Sequence, residues 1–149
     1  MTVLDEILEC CTDHLGMILG AVESNNRKRA LVYARYFYFK YAKEKTRATL
    51  QQIGLTLKAP KDHATVMHGI KTINFQIETY KEYRKIHEEL EPKINDIILR
   101  GTESKLVTME NQLIQITRLL NEIKENHSIL QKEVFETIEN CSIKFKKTA

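Results

Sequence analysis

Residues 49–69 read Thr49-Leu50-Gln51-Gln52-Ile53-Gly54-Leu55-Thr56-Leu57-Lys58-Ala59-Pro60-Lys61-Asp62-His63-Ala64-Thr65-Val66-Met67-His68-Gly69. Thr49 and Gln52 fit a capping box, in which hydroxyl and amide satisfy each other's free N–H groups, so a short helix is expected over about 50–57. Lys58-Ala59-Pro60-Lys61 is the turn that ends it. Asp62 suits the N-cap of a second helix starting at His63, because its carboxylate can accept the orphan N–H groups of the first turn. Short helix, tight turn and capped second helix make a helix-turn-helix pattern.

The flanks are also helical in pattern. Val3, Leu4, Ile7, Leu8, Cys11, Leu15, Ile18, Leu19 and Val22 repeat at helical spacing, with a break plausible at Gly16 or Gly20. Ser24-Asn25-Asn26 has a loop composition. A helix over about 30–45 is rich in aromatics, from Tyr33 to Tyr41, most of them suited to a core, with Tyr36 and Lys40 expected outside. Beyond the quoted stretch, Val66, Ile70, Ile73 and Ile77 form a core stripe. The same helix is expected to continue through Tyr80, Tyr83, Ile86 and Leu90 until Pro92, with the clearest later break at Arg100-Gly101-Thr102. Leu106, Met109, Leu113, Ile116, Leu120, Ile123, His127, Leu130 and Val134 then alternate three- and four-residue steps, an a/d seam of about four heptads. With two Pro and five Gly in 149 residues, the fold class is all-α. We expect a helix-turn-helix domain over 1–91 and a helical hairpin or coiled-coil tail over 92–149.

Charge is unevenly spread. Residues 1–23 carry −5 and residues 24–73 carry +9, while the remainder carries −1, within a total of +3. A cationic block of this size around a helix-turn-helix pattern points to a polyanion, and nucleic acid comes first. Within the block, Asp62 can accept from a cytosine amino group, His63 can meet a base edge and Ala64 can touch a thymine methyl. Lys61, Thr65 and His68 suit phosphates. Asp62 as a cap alone, with His68 idle on the surface, is the bland alternative; the charge block tips the balance toward DNA.

Other chemistries find little support. There is neither a P-loop nor a GxGxxG sequence, so no nucleotide cofactor is expected. Cys10-Cys11-x-Asp13-His14 resembles a metal cluster only superficially, since adjacent cysteines face different sides of a helix. No metal, no catalytic residue and no enzymatic activity are expected. The three cysteines read as reduced thiols in a cytoplasm. No apolar run approaches a membrane span, and no charged start marks a secretory signal.

Lys61 to Gly69 resembles the signature of the C-terminal DNA-binding domain of the bacterial replication initiator DnaA, usually Arg-Asp-His-[Thr/Ser/Ala]-Thr-Val-[Leu/Ile]-His-Ala. The likeness continues upstream through Arg35, Ala42-Lys43-Glu44, Thr46, Leu50 and Ile53-Gly54, and covers about residues 10–85. The resemblance implies the DnaA/Trp-repressor type of helix-turn-helix, with Asp62, His63 and Ala64 reading bases in the major groove. It further implies that Leu50 and Gln51 approach from the first helix and that Arg27 enters the neighbouring minor groove. Lys28, Arg29, Arg35, Lys43, Lys61, Thr65 and His68 would hold the DNA backbone.

Three departures stand out. Ala64 replaces the common threonine, Lys58-Ala59-Pro60 is one residue longer than the usual turn, and Gly69 replaces alanine. The ATPase module of DnaA has no counterpart in these residues. The function expected is therefore sequence-specific double-stranded DNA binding by a non-enzymatic regulator or accessory of replication or transcription, of the kind a phage or mobile element carries. The alternative is a coiled-coil scaffold with only weak affinity for DNA. The tail, through residues 103–143, is expected to make a homodimer, with an intramolecular hairpin as the competing arrangement.

Overall fold

Six α-helices account for the regular structure of residues 1–148, the part of the computed structural model described here: α1 (Val3–His14), α2 (Leu19–Glu23), α3 (Arg29–Lys45), α4 (Leu50–Leu55), α5 (His63–Thr79) and α6 (Lys81–Thr148). The fold is all-α, with no strand among the described residues. The chain divides into two units, Met1–Glu103 and a second that begins at Ser104. The first unit thus runs past the boundary expected at 91, and the final residue of the expected tail, Ala149, lies outside the described residues.

In the first unit α3 is the central element. Ala34, Phe37, Tyr38, Tyr41 and Ala42 are fully buried there, beside Ile7 and Cys11 of α1, Val66 and Ile73 of α5, and Leu90 and Ile94 of α6. Aromatic rings each bury roughly 150–250 Å², which lets a small helical unit fill its interior with few residues. Their polar ends are satisfied: the Tyr38 hydroxyl donates to the Ile53 carbonyl at 3.3 Å, and the Tyr41 hydroxyl lies 2.5 Å from His87 Nδ1. Burial pushes the Tyr38 phenol up to about 12. Tyr36 is half-buried, but Lys40, expected outside, is buried and pairs with Glu44 at 2.6 Å. Burying the lysine stem while one turn of helix supplies a carboxylate keeps the charge compensated.

Local chemistry sets the boundaries. Thr2 and Asp5 form a capping box at α1, and Gly16, at φ 62°, makes the turn into the segment leading to α2. Between α5 and α6 the chain breaks at Tyr80, whose backbone is extended (φ −116°, ψ 129°). The single helix expected from 63 to 90 is therefore two. Arg84 reaches back to the exposed end of α5, donating to the Ile77 and Glu78 carbonyls at 3.4 and 2.7 Å. Such a side chain satisfies carbonyls that a helix end leaves open.

Pro92 and Gly101, both expected to interrupt, are carried inside α6. Pro92 removes one backbone donor and leaves the Glu88 carbonyl without its partner. Both residues are exposed, so water can take that carbonyl, while buried Leu90 and Ile94 hold the helix to the core on either side. Because Gly101 and Thr102 are helical, no turn forms there and the expected hairpin lacks its corner. In the second unit, every described residue from Ser104 onward is helical and exposed.

Candidate nucleic-acid interface

Thr49 opens α4 as expected: the Gln52 N–H donates to its hydroxyl at 3.2 Å and the Thr49 N–H donates to Gln52 Oε1 at 2.8 Å. The connection to α5 passes so close over Gly54 that a Cβ there would lie 2.0 Å from the Lys61 carbonyl oxygen. The Lys61 N–H in turn donates to the Gly54 carbonyl at 3.0 Å. The extra residue in Lys58-Ala59-Pro60 is accommodated by α2. The Ala59 N–H donates to the Glu23 carbonyl at 2.9 Å, and Lys58 Nζ sits 2.6 Å from the Glu23 carboxylate.

Asp62 caps α5, with the Thr65 N–H donating to its Oδ1 at 2.7 Å. Hydrogen bonding from Thr65, through its side chain first and its backbone second, holds the Asp62 carboxyl below the usual carboxylate range. The cap occupies one oxygen and leaves the other to solvent, so capping and an outward contact are compatible. His63, Ala64 and Thr65 are exposed in the first turn. On the same outward side, Met67 and Lys71 are exposed one and two turns on, and neither was singled out from the sequence. The spacing alone signals them: positions 64, 67, 68 and 71 share a helix face.

The remaining expected residues sort into groups. Arg27, Arg35, Lys61 and Thr65 line one open cleft of about 630 Å³, floored by Tyr36 and Phe39 and free of carboxylates. Arg35 is mostly buried; its guanidinium donates to the Asn26 carbonyl, and its buried Nε has no protein partner. Burial lowers the Arg35 pKa. Lys61 donates to Asn25 Oδ1, and desolvation, with the charges of Arg35 and Arg27, lowers its pKa too. A lysine whose charged form is disfavoured by burial and by neighbouring cations gains from an anion placed beside it. Asn25, which positions Lys61, escaped the sequence reading because loop asparagines carry no periodic signal.

Lys28 precedes α3 with its N–H on Asn26 Oδ1 at 2.9 Å. Arg29 is not in the cleft; its guanidinium carbon lies 5.4 Å from the Tyr33 ring centre, beside Tyr83. Lys43 is exposed near the end of α3 and Gln51 at the start of α4, while Leu50 is half-buried. His68 meets Tyr36 edge-on at 6.2 Å between ring centres. Gly69 is fitted to that ring, since a Cβ would lie 2.5 Å from Tyr36 Cδ1 and 2.9 Å from Phe39 Cδ2.

The family model of the bacterial dnaA protein helix-turn-helix matches residues 4–73. The chromosomal replication initiator protein DnaA of Flavobacterium psychrophilum is 33% identical over 92 residues, covering 62% of this chain and 19% of that protein. DnaA of Bacteroides thetaiotaomicron is 34% identical over 88 residues, covering 59% and 18%. The chain thus spans about a fifth of the length of the curated relatives it matches. No solved structure matches it.

Proposed function

Residues 4–73 form a helix-turn-helix domain of the bacterial DnaA type, and from that premise we propose that the protein is a sequence-specific binder of double-stranded DNA. The observation that carries the reading is the exposed first turn of α5 beside a cationic cleft free of carboxylates. In this reading His63, Ala64 and the free oxygen of Asp62 face base edges in the major groove. Lys61, Thr65 and Arg27 flank them, with Arg27 positioned for the adjacent minor groove, and Lys28, Lys43, Lys71 and His68 hold phosphates. Arg35 acts from beneath by holding the Asn26 carbonyl and so the loop that presents Arg27. Arg29, engaged with Tyr33, contributes charge at longer range.

The protein acts by occupying sites as a non-enzymatic accessory or regulator of replication or transcription, of the kind a mobile element carries, in a cytoplasm. Two DNA-binding units are joined through the tails. Exposed Ala64 offers a methyl where threonine offers a hydroxyl, so the preferred site differs from the usual DnaA box at the base it meets.

Titration of labelled duplexes containing a DnaA box and of scrambled duplexes, from about 50 to 200 mM salt, tests this. Five to eight phosphate contacts give a slope of log K against log salt of roughly −4 to −7. His63→Ala should lose roughly 5- to 150-fold of the discrimination between the two duplexes, whereas Lys61→Ala weakens both alike. A protein with no preference and no salt dependence would instead be the scaffold of the alternative reading.

A further inference from the structure

The exposed side chains of the second unit carry the stripe Leu106, Met109, Leu113, Ile116, Leu120, Ile123, His127, Leu130 and Val134 in steps of three and four. After Val134 a step of four replaces a step of three, and the stripe continues through Ile138, Cys141 and Phe145. That is a stutter, which a coiled coil absorbs by local unwinding. We infer that this stripe is covered by the same stripe of a second copy, parallel and in register, as far as Phe145. The inference rests on the reading of the tail as a pairing segment and commits it to an orientation, a register and a strand number.

Area and charge carry it. Eleven apolar side chains lie on the stripe. At roughly 60–120 Å² each they bury on the order of 1,000 Å² per chain, against about 800 Å² per partner in a stable interface. Leucine at a with isoleucine at d, as in Leu113, Ile116, Leu120 and Ile123, suits more than two strands, and Ile114 and Phe135 are exposed beside the stripe, but the e and g positions favour a pair. Glu110, Thr117, Lys124 and Gln131 at e, and Lys105, Gln112, Asn126 and Glu133 at g, are polar, with Leu119 alone apolar. A larger bundle would bury those positions, whereas a pair leaves them in water.

Orientation follows from the same flanks. In a parallel pair, g faces e of the next heptad on the other helix, which sets Lys105 opposite Glu110 of the second copy and Asn126 opposite Gln131 of the second copy. Across the g and e positions from Lys105 to Glu133 no like charges meet. His127, the polar side chain among these a positions up to Val134, meets its own counterpart only in register, and a single polar a residue is an effective register device.

Sedimentation of the full chain at tens of micromolar, followed by mild oxidation, tests the inference. The expected results are a dimer mass and a disulfide-linked dimer that disappears in Cys141→Ser. An antiparallel pair would hold the two Cys141 thiols roughly 50 Å apart. Lys105→Glu should weaken the dimer roughly three- to tenfold, and Lys105→Glu with Glu110→Lys should restore it. A monomer mass overturns the pairing and with it the orientation. A trimer or tetramer overturns the two-stranded assignment. A dimer that fails to cross-link through Cys141, or that the double exchange fails to restore, overturns the parallel register and leaves the pairing standing.

Discussion

In Met1–Glu103 each long helix lays its apolar stripe against another helix of the same chain, while from Ser104 onward an equally regular stripe faces solvent. Ile73 and Ile94 are fully buried; Leu113 is 62% exposed and Ile123 63%. Periodicity states that a helix face requires a partner, and it is silent on which chain supplies it. The first unit therefore responds to changes in fit within the chain, and the pairing inferred for the second predicts a response to concentration.

The largest separation should come from Leu113→Asp. Removing an apolar side chain from both copies costs about 4 kcal/mol per dimer, so sedimentation should show monomers where the parent is paired. The melting of the first unit should stay where it was. Next comes Gly54→Ala, whose Cβ has no room against the Lys61 carbonyl. Backbone must shift, at about 3 kcal/mol, and Tm of the first unit should fall by roughly 12–24 °C, with the dimer mass retained. A Gly54→Ala protein that melts like the parent would mean that the turn is free to move.

Gly69→Ala should cost less, about 1–2 kcal/mol, because its Cβ meets two rings and not backbone. Tyr36→Leu in the same chain should recover part of the loss on a melting curve. The smallest effect concerns pH. The folded Asp62 pKa lies below its ordinary 3.8, so the stability it contributes is complete above that value and is lost as pH falls through the folded pKa. Asp62→Asn keeps an acceptor for Thr65 without the titration. Melting of the two proteins should differ near neutral pH and converge in acid.

The helix-turn-helix was legible because its boundaries are written in local chemistry: Thr49 with Gln52, and Asp62 with the Thr65 N–H. The apolar stripe after Leu106 was legible as period alone. What could not be read was decided across the fold. Tyr80 carries no breaking signal; the break is stabilised by Arg84 turning back on Ile77 and Glu78. Pro92 looked like an end, yet its exposed side and the buried residues around it let α6 run on. In the candidate site, sequence placed Arg27, Arg35, Lys61 and Thr65 in one charge block, and the fold gathers these four into one cleft while sending Arg29 to Tyr33. Lysine burial at position 40 and the Asn25 contact to Lys61 are likewise matters of packing.

The fit of Gly69 beneath Tyr36 also constrains descent. An alanine at 69 and this placement of the Tyr36 ring exclude each other, since the added carbon would lie 2.5 Å from the ring. If an ancestor carried the alanine usual in DnaA, the glycine had to appear before the ring settled there or together with it. Reversion to alanine carries that cost of about 1–2 kcal/mol until position 36 changes as well, so the two sites are coupled in the history of this surface.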